Sequence, residues 1–170
     1  MFKGKIGEVK VPGCLVPEDI AVRGLEERDE LELISFDSEA FGVSRAELIR
    51  QLLGDYPGYG FVAEAKTGGG GLRGYGLFRP GHHSFQIGPL IASGGSEAAA
   101  LLKAVLDRIA LENPAAQVGV VSAAGIESRE DIYEHCGFTR ICSLTRMYKG
   151  KNILQGREDM VYTSSGPEKG

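Results

Sequence analysis

The sequence predicts an α/β fold built on a mixed, largely antiparallel sheet flanked by helices, and three observations carry that expectation. Three strand-like runs follow one another between residues 60 and 92 with only turns between them, the mark of an antiparallel meander. A strand, a long helix, a buried strand and a shorter helix then succeed one another over 84–138, the alternation that sets strands parallel. The chain has 170 residues, 42% apolar and 25% charged, enough for one domain with a sizeable core.

Residues 1–19 read as a strand-prone extension broken by Pro12, Gly13 and Pro17, ahead of a domain spanning 20–170. AVRGL (21–25) reads as a short strand, and 27–41 as an amphipathic helix offering Leu31, Leu33, Ile34 and Phe41 for burial. A second helix is expected over 44–56, with Ser44 and Glu47 at capping-box spacing and Leu48, Ile49, Leu52 and Leu53 on its apolar face. GFVAEAK (60–66) and GYGLFRPG (74–81) flank a run of four glycines as a hairpin. No helix follows those glycines and they lack the lysine of a phosphate-binding loop, so they read as a hairpin tip. SFQIGPLIA (84–92) is the third strand, and the helix 96–112 opens behind a short Gly/Ser loop with Ser96 as its N-cap. AQVGVVSAA (116–124) reads as a buried strand, and 128–138 as a short helix closed by Gly137 in the left-handed conformation. Strands over 140–148 and 159–165 complete the order β-α-α-β-β-β-α-β-α-β-β, without an internal repeat.

A net charge of −4, with Lys and Arg scattered, argues against non-specific nucleic-acid binding, which needs clustered positive charge. No run of about eighteen apolar residues suits a membrane span, and the opening MFKGKIGEVKVPGC is too polar for a secretory signal, so the expected location is cytoplasmic. Cys14, Cys136 and Cys142 form no CxxC pair and no even disulfide framework. His82 and His83 are adjacent, point to opposite sides of an extended chain and have no third ligand nearby, so they read as turn histidines and no metal site is expected.

The passage from Ala92 into the long helix raises a chemical question. Gly94, Gly95, Ser96, Glu97 and Ala98 present successive backbone N–H groups at the positive end of a helix, where an anion is stabilised. Side chains at 94–96 and 98 are small enough for close approach, whereas the Glu97 carboxylate has to turn away. The alternative is a helix capped after a tight turn and holding no anion. The loop has no Lys or Arg of its own.

The element order resembles that of the GNAT acetyltransferase superfamily, whose members transfer an acyl group from acyl-coenzyme A, usually to an amine. YEHCGF (133–138) resembles the Y-E-x-x-G-F ending of its penultimate helix, and 93–102 resembles its pyrophosphate loop. Aligned on Leu101 and Leu102, the loop is about two residues short. Its glycine positions fall on Ser96 and Ala98, and its leading Gln/Arg on Ser93. FDSEAFGVSR (36–45), GLFRPG (76–81), IGPLIA (87–92), LTRMYKG (144–150) and the terminal VYTSSGPEKG together resemble the second domain of two-domain bacterial and archaeal GNAT proteins.

That resemblance implies a GNAT-like acyl-CoA N-acyltransferase fold, with acetyl-CoA as co-substrate, no metal, and a small amine or amino-acid-like acceptor. In the superfamily the strand before the loop bulges, and its free backbone groups bind the pantetheine arm as an added strand. Here that strand carries Leu90, Ile91 and Ala92, and Pro89 within it cannot donate a ladder hydrogen bond. A sheet irregularity holding no ligand is the alternative. The amides of 94–98 would meet the pyrophosphate. Tyr133 matches the tyrosine that acts as general acid to the leaving thiolate, since a phenol with a pKa of about 10 is protonated at neutral pH; an ordinary packing aromatic is the alternative. Asp37, Phe41, Gly42 and Arg45 match D-x-x-x-F-G-x-x-R, which either shapes the acceptor end or supplies an ion pair that fixes a helix-to-helix turn. No general base stands out: Glu64 on its strand and Asp37 before Phe41-Gly42 are the carboxylates to consider on the acceptor side, and a structural or exposed role is the alternative for each. Arg79 and Arg146 either meet an acidic acceptor or close the sheet. Three readings follow: an N-acetyltransferase working by direct transfer, a non-catalytic CoA or small-ligand sensor or assembly module, and, with least support, a cofactor-free interaction domain. A homodimer is the expected assembly.

Overall fold

The computed structural model describes residues 1–66, 71–82, 84–122, 132–144 and 156–166. His83, Arg146, the hairpin tip at 67–70, the start of the helix expected at 128 and the end of the strand expected at 140–148 lie outside the described residues. Eight strands form one sheet: β1 (Phe2–Lys5), β2 (Ile20–Gly24), β3 (Gly60–Ala65), β4 (Leu72–Pro80), β5 (Phe85–Ala92), β6 (Gln117–Val120), β7 (Thr139–Arg140) and β8 (Val161–Thr163). The path runs β2-β3-β4-β5-β6-β1-β7, with β8 pairing β5 off that path. All pairings are antiparallel except β5 with β6.

Helices cover both faces. α3 (Gly95–Glu112) lies on one and buries Leu101, Leu102, Val105 and Ile109 against Phe78, Ile87, Leu90, Val118 and Val120. α1 (Glu30–Phe41) and α2 (Ala46–Asp55) lie on the other, where Leu33, Phe41, Ile49 and Leu52 pack on Val62, Tyr75, Leu77 and Ile91. The assignment follows the strand period of two: Leu90 and Ala92 face α3, and Ile91 between them faces α1 and α2.

Three local differences from the sequence reading have simple causes. The 27–41 segment opens as a 3-10 turn over Glu27–Asp29, with Glu26 and Asp29 closing a reciprocal capping box. α2 has no such box at Ser44 and Glu47. Its N-cap is Arg45, whose side chain is taken by an ion pair. α3 begins one residue earlier than expected, with Gly94 rather than Ser96 at its N-cap. Gly137 has the left-handed φ of 86° expected of it, after a helical segment at 132–135.

Residues 1–19 contribute more to the sheet than an appended tail would. β1 lies between β6 and β7, matching Phe2 to Val120 on one side and to Arg140 on the other. Phe2, Ile6, Val9 and Val11 are buried with the α3-side core.

Candidate functional site

The expected bulge is present. Gly76 faces Leu90 while Phe78 faces Ile87, so β5 holds one residue more than β4 across Gly88 and Pro89. The parallel ladder between β5 and β6 covers only 85–87 against 118–120 and ends there. Past Ile87 and Val120 the strands part, and the splay opens toward the start of α3.

β8 lies in that splay. It pairs with β5 through Leu90–Thr163 and Ile91–Val161, and bridges to Ser122 on the other wall through Thr163. The next residue, Ser164, donates its N–H to the Val121 carbonyl at 2.9 Å. Leu90 and Ile91, expected to keep their backbone free for a bound arm, are thus paired with the C-terminal strand of the same chain. Ala92, just beyond, pairs with Gly74.

At the end of β5 the Ser93 amide donates to the Arg73 carbonyl. Gly94 is extended, and the Ala98 amide, expected to stay open, is taken by the Gly94 carbonyl in the first turn of α3. Among the described residues no hydrogen bond engages the amides of Gly95, Ser96 and Glu97, the donors that any helix leaves free at its start. The Glu97 side chain does not turn away. Its Oε2 would lie 2.9 Å from a Cβ at Gly94, folded back toward the positive helix end, which attracts it. The Tyr162 hydroxyl reaches the same place, 3.8 Å from where a Cβ on Gly95 would stand.

Tyr133 is 1% exposed, tilted against Phe2 and edge-on to Phe138. Its hydroxyl points at β8, donating to the Tyr162 carbonyl at 3.2 Å and accepting from Thr163 Oγ1. Arg79 makes the other tie: Nη1 donates to the Gly88 carbonyl at 3.2 Å and Nη2 to the Ser165 carbonyl at 2.6 Å. Of its two expected roles, the guanidinium here serves to close the sheet.

The D-x-x-x-F-G-x-x-R residues meet at the α1–α2 turn. Gly42 ends α1 with a φ of 70°, which brings Arg45 back over α1. Arg45 Nε and Nη2 donate to the two Asp37 oxygens at 2.9 and 2.6 Å, and its guanidinium carbon stacks 3.3 Å from the Phe41 ring centroid. Tyr75 also donates to Asp37, which is fully buried. Burial, then the Asp37 charge, pushes the Tyr75 phenol well above its ordinary pKa. The ion pair that fixes the turn, one of the two roles open for these residues, is formed.

Glu64 sits two strands from β5 and accepts from Arg23 Nη2 at 2.6 Å. Arg23 also forks onto Asp29 at 2.7 and 2.8 Å, which lowers the Asp29 pKa. The structure therefore places Glu64 in a brace between β2, β3 and the start of α1, apart from the splay.

Sequence reasoning passed over Tyr75, Ser122, Thr163 and Ser165. Thr163 and Ser165 carried a signal, since TSS interrupts an otherwise apolar terminal strand. Tyr75 carried none beyond its apolar-face position. Among the described residues no three His, Cys, Asp or Glu side chains gather as metal ligands, and no helix is long and apolar enough to cross a membrane.

The comparisons with known proteins agree with this geometry. A family model described as an acetyltransferase (GNAT) domain matches residues 33–163. The fold is similar to that of a GCN5-related N-acetyltransferase from Sphaerobacter thermophilus, at 21% identity and a TM-score of 0.63, covering 81% of this chain and 46% of that one. It is also similar to a Pyrococcus horikoshii protein assigned provisionally as an acetyltransferase, at 16% identity and a TM-score of 0.67, covering 99% and 51%. This chain thus spans about half the length of those two proteins. An aminoglycoside 6'-N-acetyltransferase from Acinetobacter haemolyticus is similar at 12% identity and a TM-score of 0.52, covering 78% and 99%. No curated protein sequence matches the chain. With a family match over most of its length and the bulge, splay and following helix in their expected order, the chain belongs to the acetyltransferase (GNAT) family, whose chemistry is acyl transfer.

Proposed function

We propose that the chain is an acyl-CoA-dependent N-acetyltransferase that moves an acetyl group from acetyl-CoA directly to the amine of a small acceptor. One observation carries the reading: a bulged strand parts from its parallel neighbour and runs straight into a helix whose first three amides are unpaired. Donors held rigidly in that way suit a diphosphate.

The amides of Gly95, Ser96 and Glu97 would hold the diphosphate, after the Glu97 carboxylate swings off Gly94. The backbone of Leu90, Ile91 and Ala92 would take the pantetheine arm, a place that β8 fills. When bound, the thioester supplies an activated acyl carbon. Tyr133 holds its proton at Oη, pointed into the splay, where it can be released to a departing sulfur. The acceptor nitrogen, on forming its bond to carbon, releases its own proton to water. The assembly proposed with this reading is a homodimer, and the location cytoplasmic.

Calorimetry with acetyl-CoA and a thiol-release assay over a panel of amines test it together. We expect binding and amine-dependent thiol release, with Tyr133→Phe lowering kcat about a hundredfold and leaving the KM for acetyl-CoA nearly unchanged. Failure of both the intact chain and variants that weaken β8 docking to bind millimolar acetyl-CoA overturns the reading. A second reading, a non-catalytic CoA or small-ligand module, is favoured by β8 in the splay and by the lack of Lys or Arg at 93–98. Binding with no thiol release from any amine selects it.

A further inference from the structure

We infer that the C-terminal segment from Met160 to Ser165 is an internal occupant of the cofactor groove, so that its docking and the binding of a pantetheine arm exclude each other. The inference rests on the proposed cofactor reading and adds to it a competitor carried by the chain itself.

The segment sits as an added strand would. It is hydrogen-bonded to both walls, through Leu90 and Ile91 on β5 and through Val121 and Ser122 past β6. Those β5 positions are the ones an extended ligand needs, because strand addition works through main-chain donors and acceptors. Two side chains latch it from outside: Tyr133 holds Thr163, and Arg79 holds the Ser165 carbonyl. Gly88 completes the seat. Its φ is 144°, and a Cβ there would stand 2.1 Å from the Ser164 oxygen, so the segment lies closer to β5 than any other residue would permit.

The chemistry of the segment is that of a removable strand. A strand held permanently between two buried neighbours is ordinarily a continuous apolar run. Here Thr163 and Ser165 are fully buried, and the Ser165 hydroxyl has no hydrogen-bond partner among the described residues. Leaving the groove returns that hydroxyl to water, which offsets part of the loss of Met160, Val161 and Tyr162 from the core. Departure also breaks the bonds that tie Tyr133 Oη to Tyr162 and Thr163, so the group proposed as the acid is released from β8 in the same event that opens the groove.

Hydrogen exchange on the full chain, with and without saturating coenzyme A, tests this directly. The amides of 161–164 should lose protection when coenzyme A binds, while β3 and β4 keep theirs. Two latch variants give an independent measurement: Thr163→Val and Arg79→Met each weaken docking by a hydrogen bond and should tighten coenzyme A binding by about tenfold. Coenzyme A bound with 161–164 as protected as before, or bound no tighter by either variant, overturns the inference and leaves the cofactor reading standing. No binding by the intact chain or by either variant overturns both.

Discussion

Two buried polar clusters stand on opposite sides of the sheet and differ in how completely they are satisfied. On the α1–α2 side, Asp37 receives a bidentate guanidinium and the Tyr75 hydroxyl, and Phe41 covers the charge. On the α3 side, Tyr133 and Thr163 share one neutral hydrogen bond, and the Ser165 hydroxyl nearby has no partner among the described residues. The first cluster joins two helices separated by a single turn; the second joins the end of the chain to its middle. A charged cluster with every partner in place cannot open without stranding a charge in the core. A neutral one missing a partner gives up far less, and it is the one that lies across the splay proposed as the cofactor groove.

The most severe way to break this contrast is Arg45→Met. It leaves the Asp37 carboxylate buried with only the Tyr75 hydroxyl, and unfolding in urea should show a loss of about 3–5 kcal/mol. Gly88→Ala acts on the other cluster and should cost less, about 1–3 kcal/mol, through backbone strain and the collision with Ser164. Its signature is local: amide exchange should rise at 161–165 while the α1–α2 turn keeps its protection. Thr163→Val should cost only about 1 kcal/mol, because Tyr133 keeps its bond to the Tyr162 carbonyl. A Thr163→Val loss as large as that of Arg45→Met would mean the two clusters are equally structural.

Much of the first cluster was legible in the sequence and little of the second, for a physical reason. Asp37 and Arg45 are eight residues apart across a helix end, and a glycine at position 42 supplies the reversal, so spacing alone brings them together. The bulge was likewise legible, because Gly88 and Pro89 mark it by their own backbone properties. The meander of β3, β4 and β5 and the helix after it needed only local pattern. β1 and β8 did not announce their seats: Phe2 pairs with Val120 and Thr163 with Leu90, and nothing local in a short strand names a partner that distant. Glu64 left two roles open for the same reason, since a lone carboxylate on a strand does not show whether it faces a groove or, as here, an arginine on the neighbouring strand.

A last expected effect is in alkali, and it sharpens the contrast through two buried acids. Burial pushes the Cys136 thiol, one helical turn past Tyr133, up to about 11 from an ordinary value of 9.0. Burial and the Asp37 charge also raise Tyr75, from an unfolded value of about 10. Both groups are neutral when protonated, so a raised folded pKa means the folded state keeps its proton while the unfolded state gives it up. The stability they contribute is therefore complete below the unfolded value and is lost as the pH rises toward the folded one. Thermal melting should hold level to about pH 8.5, then fall as the Cys136 thiol begins to titrate in the unfolded chain, with about 1 kcal/mol gone near pH 9.5. Tyr75 adds a steeper loss above about pH 10. Cys136→Ala should remove the first stage and leave the second. Tyr75→Phe should do the reverse, and a first stage that survives Cys136→Ala would place the early titration elsewhere than in this helix.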